Sequence, residues 1–270
     1  MVNYLVFGGV SSADYGIYIS GEALFDAPKR EVETVAIPGR NGDLLIDHKR
    51  FENIEVSYPA FCYNKTYTEF IENIDNFRNA IASQTSYQRL TDTFHPDEFR
   101  MATFINGIEI NPILYNSGAT FTITFTCKPQ RFLTSGEIPQ IFNAAGTILN
   151  PTLFESLPLI KVTGDGTVAI GPYKFTVTSN PGTIWIDSEV MEAYQPAADV
   201  ENLEDENEIE IVDELNEIIQ VADGLVDAVS MNSYVSYEDS LMPKIPAGEV
   251  NIGMTNTITE LEIIPRWWRI

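Results

Sequence analysis

The chain has 270 residues, 44% of them hydrophobic and 11% aromatic, and carries a formal net charge of -23. That length accommodates one large or two ordinary domains, and the composition predicts a folded chain rather than a disordered one. The acidity is local, with 17 of 39 acids between Phe175 and Pro243 where there is no Lys or Arg, and neither this stretch nor the rest (22 acids, 16 bases) offers the basic stripe that nucleic acid or an anionic membrane requires.

The start, MVNYLVFGGVSSADYG, lacks a basic segment before its short apolar stretch, and no apolar run approaches the roughly 18 residues of a membrane span. The expectation is synthesis in the cytoplasm without a signal peptide and no membrane insertion. Strand-forming residues then dominate EVETVAI (31–37) and NIEVSYPAF (53–61). Between them, IPGRNGDLLID places Gly39, Asn41 and Gly42 where positive φ is needed, which predicts a β-hairpin tip with Arg40 at its apex. In residues 66–82, Tyr67, Phe70, Ile71, Ile74, Phe77 and Ile81 recur at helical spacing, predicting an amphipathic helix laid on a sheet. ATFTITFTCK (119–128) alternates Phe121, Ile123, Phe125 and Cys127 with Thr120, Thr122, Thr124 and Thr126, so one face is expected in the core and the other in water.

From Lys128 to Asn150, Pro129, Gly136, Pro139 and Gly146 interrupt every run, which predicts a linker or domain edge. A second block follows with strand candidates at 157–162, 173–178, 183–190 and 259–268, separated by turn signals at Gly164-Asp165-Gly166 and Asn180-Pro181-Gly182. This rhythm predicts a β-sandwich. The fold class is therefore mainly β (α+β), with a first domain over 1–132 and a second over 133–270 interrupted by an acidic insertion at about 199–229. Within the insertion, Ile209, Val212, Leu215, Ile218 or Ile219 and Ala222 suit a helical stripe, although EIEIV also suits a strand. So many like charges predict exposure or loose docking.

Catalytic signals are weak. Asp187 and Glu189 sit two apart on a predicted strand, hence on one face, the arrangement a glycosidase pair would need. The acidic segment lacks the calcium-loop spacing, since Ile209 and Glu210 stand where a ligand and a glycine are needed. Cys62 and Cys127, with only His48 and His95 besides, do not reach the four ligands of a structural zinc site and are read as buried thiols. No nucleophile elbow or phosphate-binding loop is present, and no cofactor is expected. Trp185, Tyr173 and Tyr194 are candidates for a glycan-stacking platform or partner contact, with a plain core position the alternative for Trp185, and of Trp267 and Trp268 one is expected in the core.

The stretch from VSSADYGIYISGEALF through IPGRNGDLLIDHKRF to SYPAF resembles the start of the distal tail proteins of phages with long non-contractile tails, especially those infecting Gram-positive bacteria. The resemblance resumes in NPTLFESLPLIKVTGDG, WIDSEVMEAY and ITELEIIPRWWRI, and departs at the acidic insertion. It implies a virion structural protein of the tail tip rather than an enzyme. A ring-forming first domain would carry a galectin-like β-sandwich, and a homohexamer would join the tail tube protein to the tail-tip protein and to receptor-binding proteins. DNA would be only passing cargo. On this reading Arg40 and Asn41 make an inter-subunit contact in which Arg40 pairs with a carboxylate of the next subunit; a turn with a solvated arginine is the alternative. A glycan-binding adhesion module and a carbohydrate-active enzyme are the competing functions.

Overall fold

The computed structural model describes residues 2–20, 26–113, 118–180, 182–196, 228–255 and 257–270. Contacts divide the chain into two units, residues 1–132 with Ile270 and residues 133–269. The fold is mainly β, with a single α-helix among the described residues.

The first unit contains β1 (Leu5–Phe7), β2 (Val10–Ser11), β3 (Ile17–Ile19), β4 (Arg30–Val35), β5 (Leu44–Phe51) and β6 (Ile54–Tyr63). Helix α1 (Tyr67–Ala82) follows, then β7 (Gln88–Asp92), β8 (Glu98–Thr103), β9 (Asn111–Ile113) and β10 (Gly118–Cys127). The chain leaves this unit within β11 (Arg131–Leu133). An antiparallel sheet runs in the order β2-β1-β7-β8-β10-β6-β3, with β9 also paired to β10. Its longest ladder sets all ten residues of β10 against β6, from Gly118 opposite Tyr63 to Cys127 opposite Ile54.

Alternation dictates the core. Phe121, Ile123, Phe125 and Cys127 are buried with Val56, Tyr58, Ala60 and Cys62 of β6, while the threonines of β10 face outward. Helix α1 covers the buried face through Phe70, Ile74, Phe77 and Ile81, each worth about 2 kcal/mol relative to exposure. Thr66 caps it by accepting a hydrogen bond from the Glu69 backbone N–H at 3.3 Å. The apolar stripe predicted from spacing is wider than the contact: Tyr67 in the first turn and Ile71 on the flank remain 55% and 37% exposed.

The second unit forms two antiparallel sheets. One comprises β12 (Gln140–Phe142), β14 (Leu159–Gly164), β17 (Thr183–Asp187), β18 (Glu192–Pro196), β19 (Ala228–Ser230) and β22 (Ile258–Ile264). The other comprises β13 (Gly146–Asn150), β15 (Gly166–Ile170), β16 (Tyr173–Val177), β20 (Val235–Tyr237) and β21 (Gly248–Met254). The short β23 (Trp268–Arg269) ends the unit. Ile160, Val162, Ile184, Ile186, Leu261 and Ile263 from the first sheet share one buried cluster with Val168, Ile170, Phe175, Val177, Val250 and Ile252 from the second, which makes the unit a β-sandwich.

Three sequence expectations change here. The strand expected over 183–190 stops at Asp187, because its carboxylate accepts the backbone N–H of Glu189 and Val190 and turns the chain. The strand expected over 259–268 ends at Ile264, and Arg266 takes φ 53°. The region expected as a linker or domain edge contains the boundary between the two units, and it is packed rather than a free linker: Gly136 lies so close to the Trp267 backbone that a Cβ would meet its nitrogen at 2.3 Å. Arg266 N–H donates to Gly136 C=O (2.8 Å), and Leu133 N–H donates to Trp267 C=O (2.8 Å), fastening the two ends of the sandwich together.

Candidate subunit interface

The strands β4 and β5 form a sheet of their own, with no third strand against either edge among the described residues. Their register is Val32 opposite Asp47, Glu33 opposite Ile46, Thr34 opposite Leu45 and Val35 opposite Leu44. Directly opposed residues share a face, so Val35, Leu44 and Ile46 stand with Glu33 on one side, and Val32 and Leu45 stand with Thr34 and Asp47 on the other. Both faces are exposed: Leu45 is 66% accessible, Leu44 45%, Val32 and Ile46 42% each. A two-stranded ribbon is marginal in water, and one carrying aliphatic side chains on both faces is a poor terminal state for a chain that stays alone.

Ion pairs stiffen its base. Arg30 donates two hydrogen bonds to Asp47 (3.1 and 2.6 Å), Arg50 pairs with Glu31 (3.0 Å) and Lys29 with Glu52 (3.4 Å). The Arg30 guanidinium, followed by the backbone N–H of Lys49, holds the Asp47 carboxyl below its ordinary pKa. Lys49 takes φ 59°, and the register slips between Arg30 and Val32, so the ribbon carries a bulge at its root. At its far end, residues 36–43 connect the strands. Gly39 (φ 77°) and Gly42 (φ 81°) adopt the left-handed conformation; Asn41, expected to share that role, does not, because the two glycines suffice for an eight-residue connection. The side chains of Arg40 and Asn41 are exposed at the tip.

The other sequence candidates fall elsewhere. Trp185 and Tyr194 lie together on the six-stranded sheet, in a row set by register: Glu262, Lys161, Trp185, Tyr194 and Ser230 are successive cross-strand neighbours. Lys161 pairs with Glu262 at 3.3 Å and places Nζ 5.6 Å from the Trp185 ring centroid. On its other side Trp185 meets Tyr194, with ring centroids 6.4 Å apart and planes at 19°. The indole thus has a neighbour on each flank within the chain. Tyr173 sits on the opposite sheet, where its hydroxyl donates to Glu155 Oε1 at 3.3 Å, so the three aromatics do not converge.

Asp187 and Glu189, considered as a catalytic pair, do not share a strand face. Asp187 is 8% exposed and takes a two-pronged hydrogen bond from Arg266 at 2.8 and 2.9 Å, with Glu189 3.8 Å from the same guanidinium. The paired carboxylates outweigh burial and raise the Arg266 pKa. This triad anchors the chain terminus. Trp267 is 2% exposed and belongs to the core, while Trp268 stacks on Phe154 at 4.4 Å and donates to Glu155 C=O at 2.9 Å.

Cys62 and Cys127 are free thiols, both buried, and burial pushes the Cys127 pKa to about 12. His48 is exposed on β5, and His95 Nδ1 lies 3.2 Å from Asp92 Oδ1. Among the described residues, no three His, Cys, Asp or Glu side chains cluster as metal ligands would. The helical and strand readings of the acidic insertion fall outside the described residues; the strands that bracket it pair with each other, Pro196 opposite Ala228.

Sequence reasoning missed the two-sided apolar surface of the ribbon. The signal was present in Leu44-Leu45-Ile46, since three consecutive aliphatics in a strand must use both faces. It also missed a polar group of core-facing side chains in the first unit, Asp92, Glu98 and Arg100.

No family model matches the sequence, and no curated protein does. Among solved structures, the chain is similar to the Dit protein of phage SPP1, from the hub adsorption apparatus of Gram-positive-infecting phages: TM-score 0.67, 12% identity, 100% of each chain covered. A chain of the phage p2 baseplate in its activated conformation aligns over 100% of this chain and 98% of its own, with TM-score 0.49 and 7% identity. The first of these similarities establishes a shared fold along the entire chain.

Proposed function

We propose, from a fold shared end to end with the Dit protein of phage SPP1, that this chain is a structural hub of a phage tail tip. It would assemble as a closed ring, a homohexamer, between the tail tube protein and the tail-tip and receptor-binding proteins, with DNA passing through it as cargo. The observation that carries this reading is the β4–β5 ribbon. Its aliphatic faces and both its strand edges have no partner among the described residues of the chain, and a neighbouring copy supplies one. Ring closure needs two different patches on each subunit, and a projecting ribbon on one with a receiving surface on the next meets that requirement.

In this assembly residues 1–132 form the ring and residues 133–270 project from it. Arg40 and Asn41, at the exposed tip, reach the next subunit, where Arg40 pairs with a carboxylate. The role is mechanical, with no reaction to catalyse, and the protein resides in the virion after synthesis in the host cytoplasm. Light scattering on the purified chain, alone and mixed with its tube protein, tests the reading, with negative-stain images of the product. A six-fold annulus that Arg40→Glu weakens is expected. A chain that stays monomeric in both samples overturns the hub; an annulus that Arg40→Glu leaves unchanged removes only the Arg40 contact.

A further inference from the structure

The sheet of the first unit carries an arginine on its core side. Arg100 in β8 stands opposite Leu90 of β7 and in step with Ala102, both fully or nearly fully buried, so its side chain leaves the sheet on the face that α1 and the aromatic core occupy. Asp92, Glu98 and Tyr58 share that face at the same end of the sheet, and with His95 and Arg131 they line a cavity of about 20 Å³. The Asp92 carboxylate there is committed. Asp92 Oδ1 takes the backbone N–H of Phe94 and His95 (2.9 Å each), and Asp92 Oδ2 takes the Tyr58 hydroxyl at 2.8 Å. Glu98, 4% exposed, pairs with Arg131 Nη1 at 3.4 Å.

Two buried donors are left over: Arg100 Nη1 and Arg131 Nε have no hydrogen-bond acceptor among the described residues. A desolvated guanidinium N–H without an acceptor is costly, and native interiors supply one. Burial together with the nearby Arg131 charge already depresses the Arg100 pKa. We propose that this cavity is a binding site for a single structural water, which accepts from Arg100 Nη1 and Arg131 Nε and donates to the carboxylates of Glu98 and Asp92. Size and charge select water over the alternatives. The volume exceeds the roughly 10–15 Å³ that one water needs and is too small for a side chain from another molecule. Two guanidinium groups and two carboxylates already balance in the lining, so a neutral acceptor completes the site, whereas an inorganic anion would sit beside two carboxylates.

The test is a crystal structure of the full chain grown with bromide in place of chloride. One peak is expected within about 2.7–3.2 Å of both Arg100 Nη1 and Arg131 Nε, without anomalous bromine signal. A bromine peak there, a carboxylate from a neighbouring molecule on Arg100, or the absence of bridging density overturns the assignment.

Discussion

The β4–β5 ribbon and the outer face of the six-stranded sheet both present large side chains to solvent, yet among the described residues only the sheet links them in a continuous row; the ribbon has Arg30 over the Phe51 ring at its base, 5.5 Å from the centroid. On the sheet, Glu262, Lys161, Trp185 and Tyr194 form a continuous row of ion pair, cation–π contact and ring stack. On the ribbon, charged pairs confine themselves to the base while Leu44, Leu45, Ile46 and Val32 meet nothing comparable among the described residues. Exposure alone therefore does not mark an interface; in the proposed ring the mark is exposure without internal pairing. The difference predicts that damage to the sandwich lowers the stability of the chain, whereas damage to the ribbon lowers its association.

The largest effect is expected at Asp187. Asp187→Ala leaves the Arg266 guanidinium, largely buried beside Trp267, without its two-pronged acceptor, and should cost about 3–5 kcal/mol in denaturant unfolding. Self-association of whatever remains folded should be unaffected, because the ribbon is untouched. Next comes Leu45→Arg, on the most exposed aliphatic of the ribbon. It should weaken association by at least about 2 kcal/mol per contact by light scattering, with less than about 0.5 kcal/mol change in unfolding of the monomer. A stable ring formed by this variant would break the comparison at its centre. Trp185→Ala should cost about 1 kcal/mol of stability by losing the stack and the cation contact, with association unchanged. A double-mutant cycle with Tyr194 separates the stack from simple loss of area.

The sequence made some of this readable and hid the rest for identifiable reasons. The hairpin was legible because Gly39 and Gly42 serve a local backbone need, and helix α1 because six apolar residues lie within one turn-by-turn pattern. Strands such as β1, β3 and β9, three residues each, were not legible because their pairing depends on distant ladders rather than on local alternation. Gly136 looked like a breaker, but its missing Cβ serves the close approach of Trp267, 131 residues later. Arg100 and Asp92 carried no signal in the sequence, because it is the register with Leu90 and Leu5 that turns them toward the core. Trp185, Tyr173 and Tyr194 were grouped as one candidate platform, but what lies on either side of an indole is a matter of cross-strand register that one strand does not reveal.

The two regions should also differ in their response to pH, and this is the smallest effect. In the sandwich, burial drives the Tyr237 pKa to about 12, and its hydroxyl is buried with no hydrogen-bond partner among the described residues. The folded state thus keeps a proton that an unfolded tyrosine releases near pH 10, so this contribution to stability is fully present below about pH 10 and is lost as pH rises toward 12. Tyr237→Phe should flatten the fall of Tm between about pH 10 and 12, while removing a buried hydroxyl that has nothing to bond. The ribbon lies at the opposite end of the scale: Arg30 lowers the Asp47 pKa, so the contribution of that pair is present above the ordinary carboxylate pKa and is lost as pH falls below it. Because Asp47 is solvated, the change should appear as faster amide exchange in β4 and β5 at low pH and not as a shift in global unfolding. Equal alkaline slopes for the parent and Tyr237→Phe would show that the sandwich does not hold its buried hydroxyl as described, and the contrast in pH response would then rest on the ribbon alone.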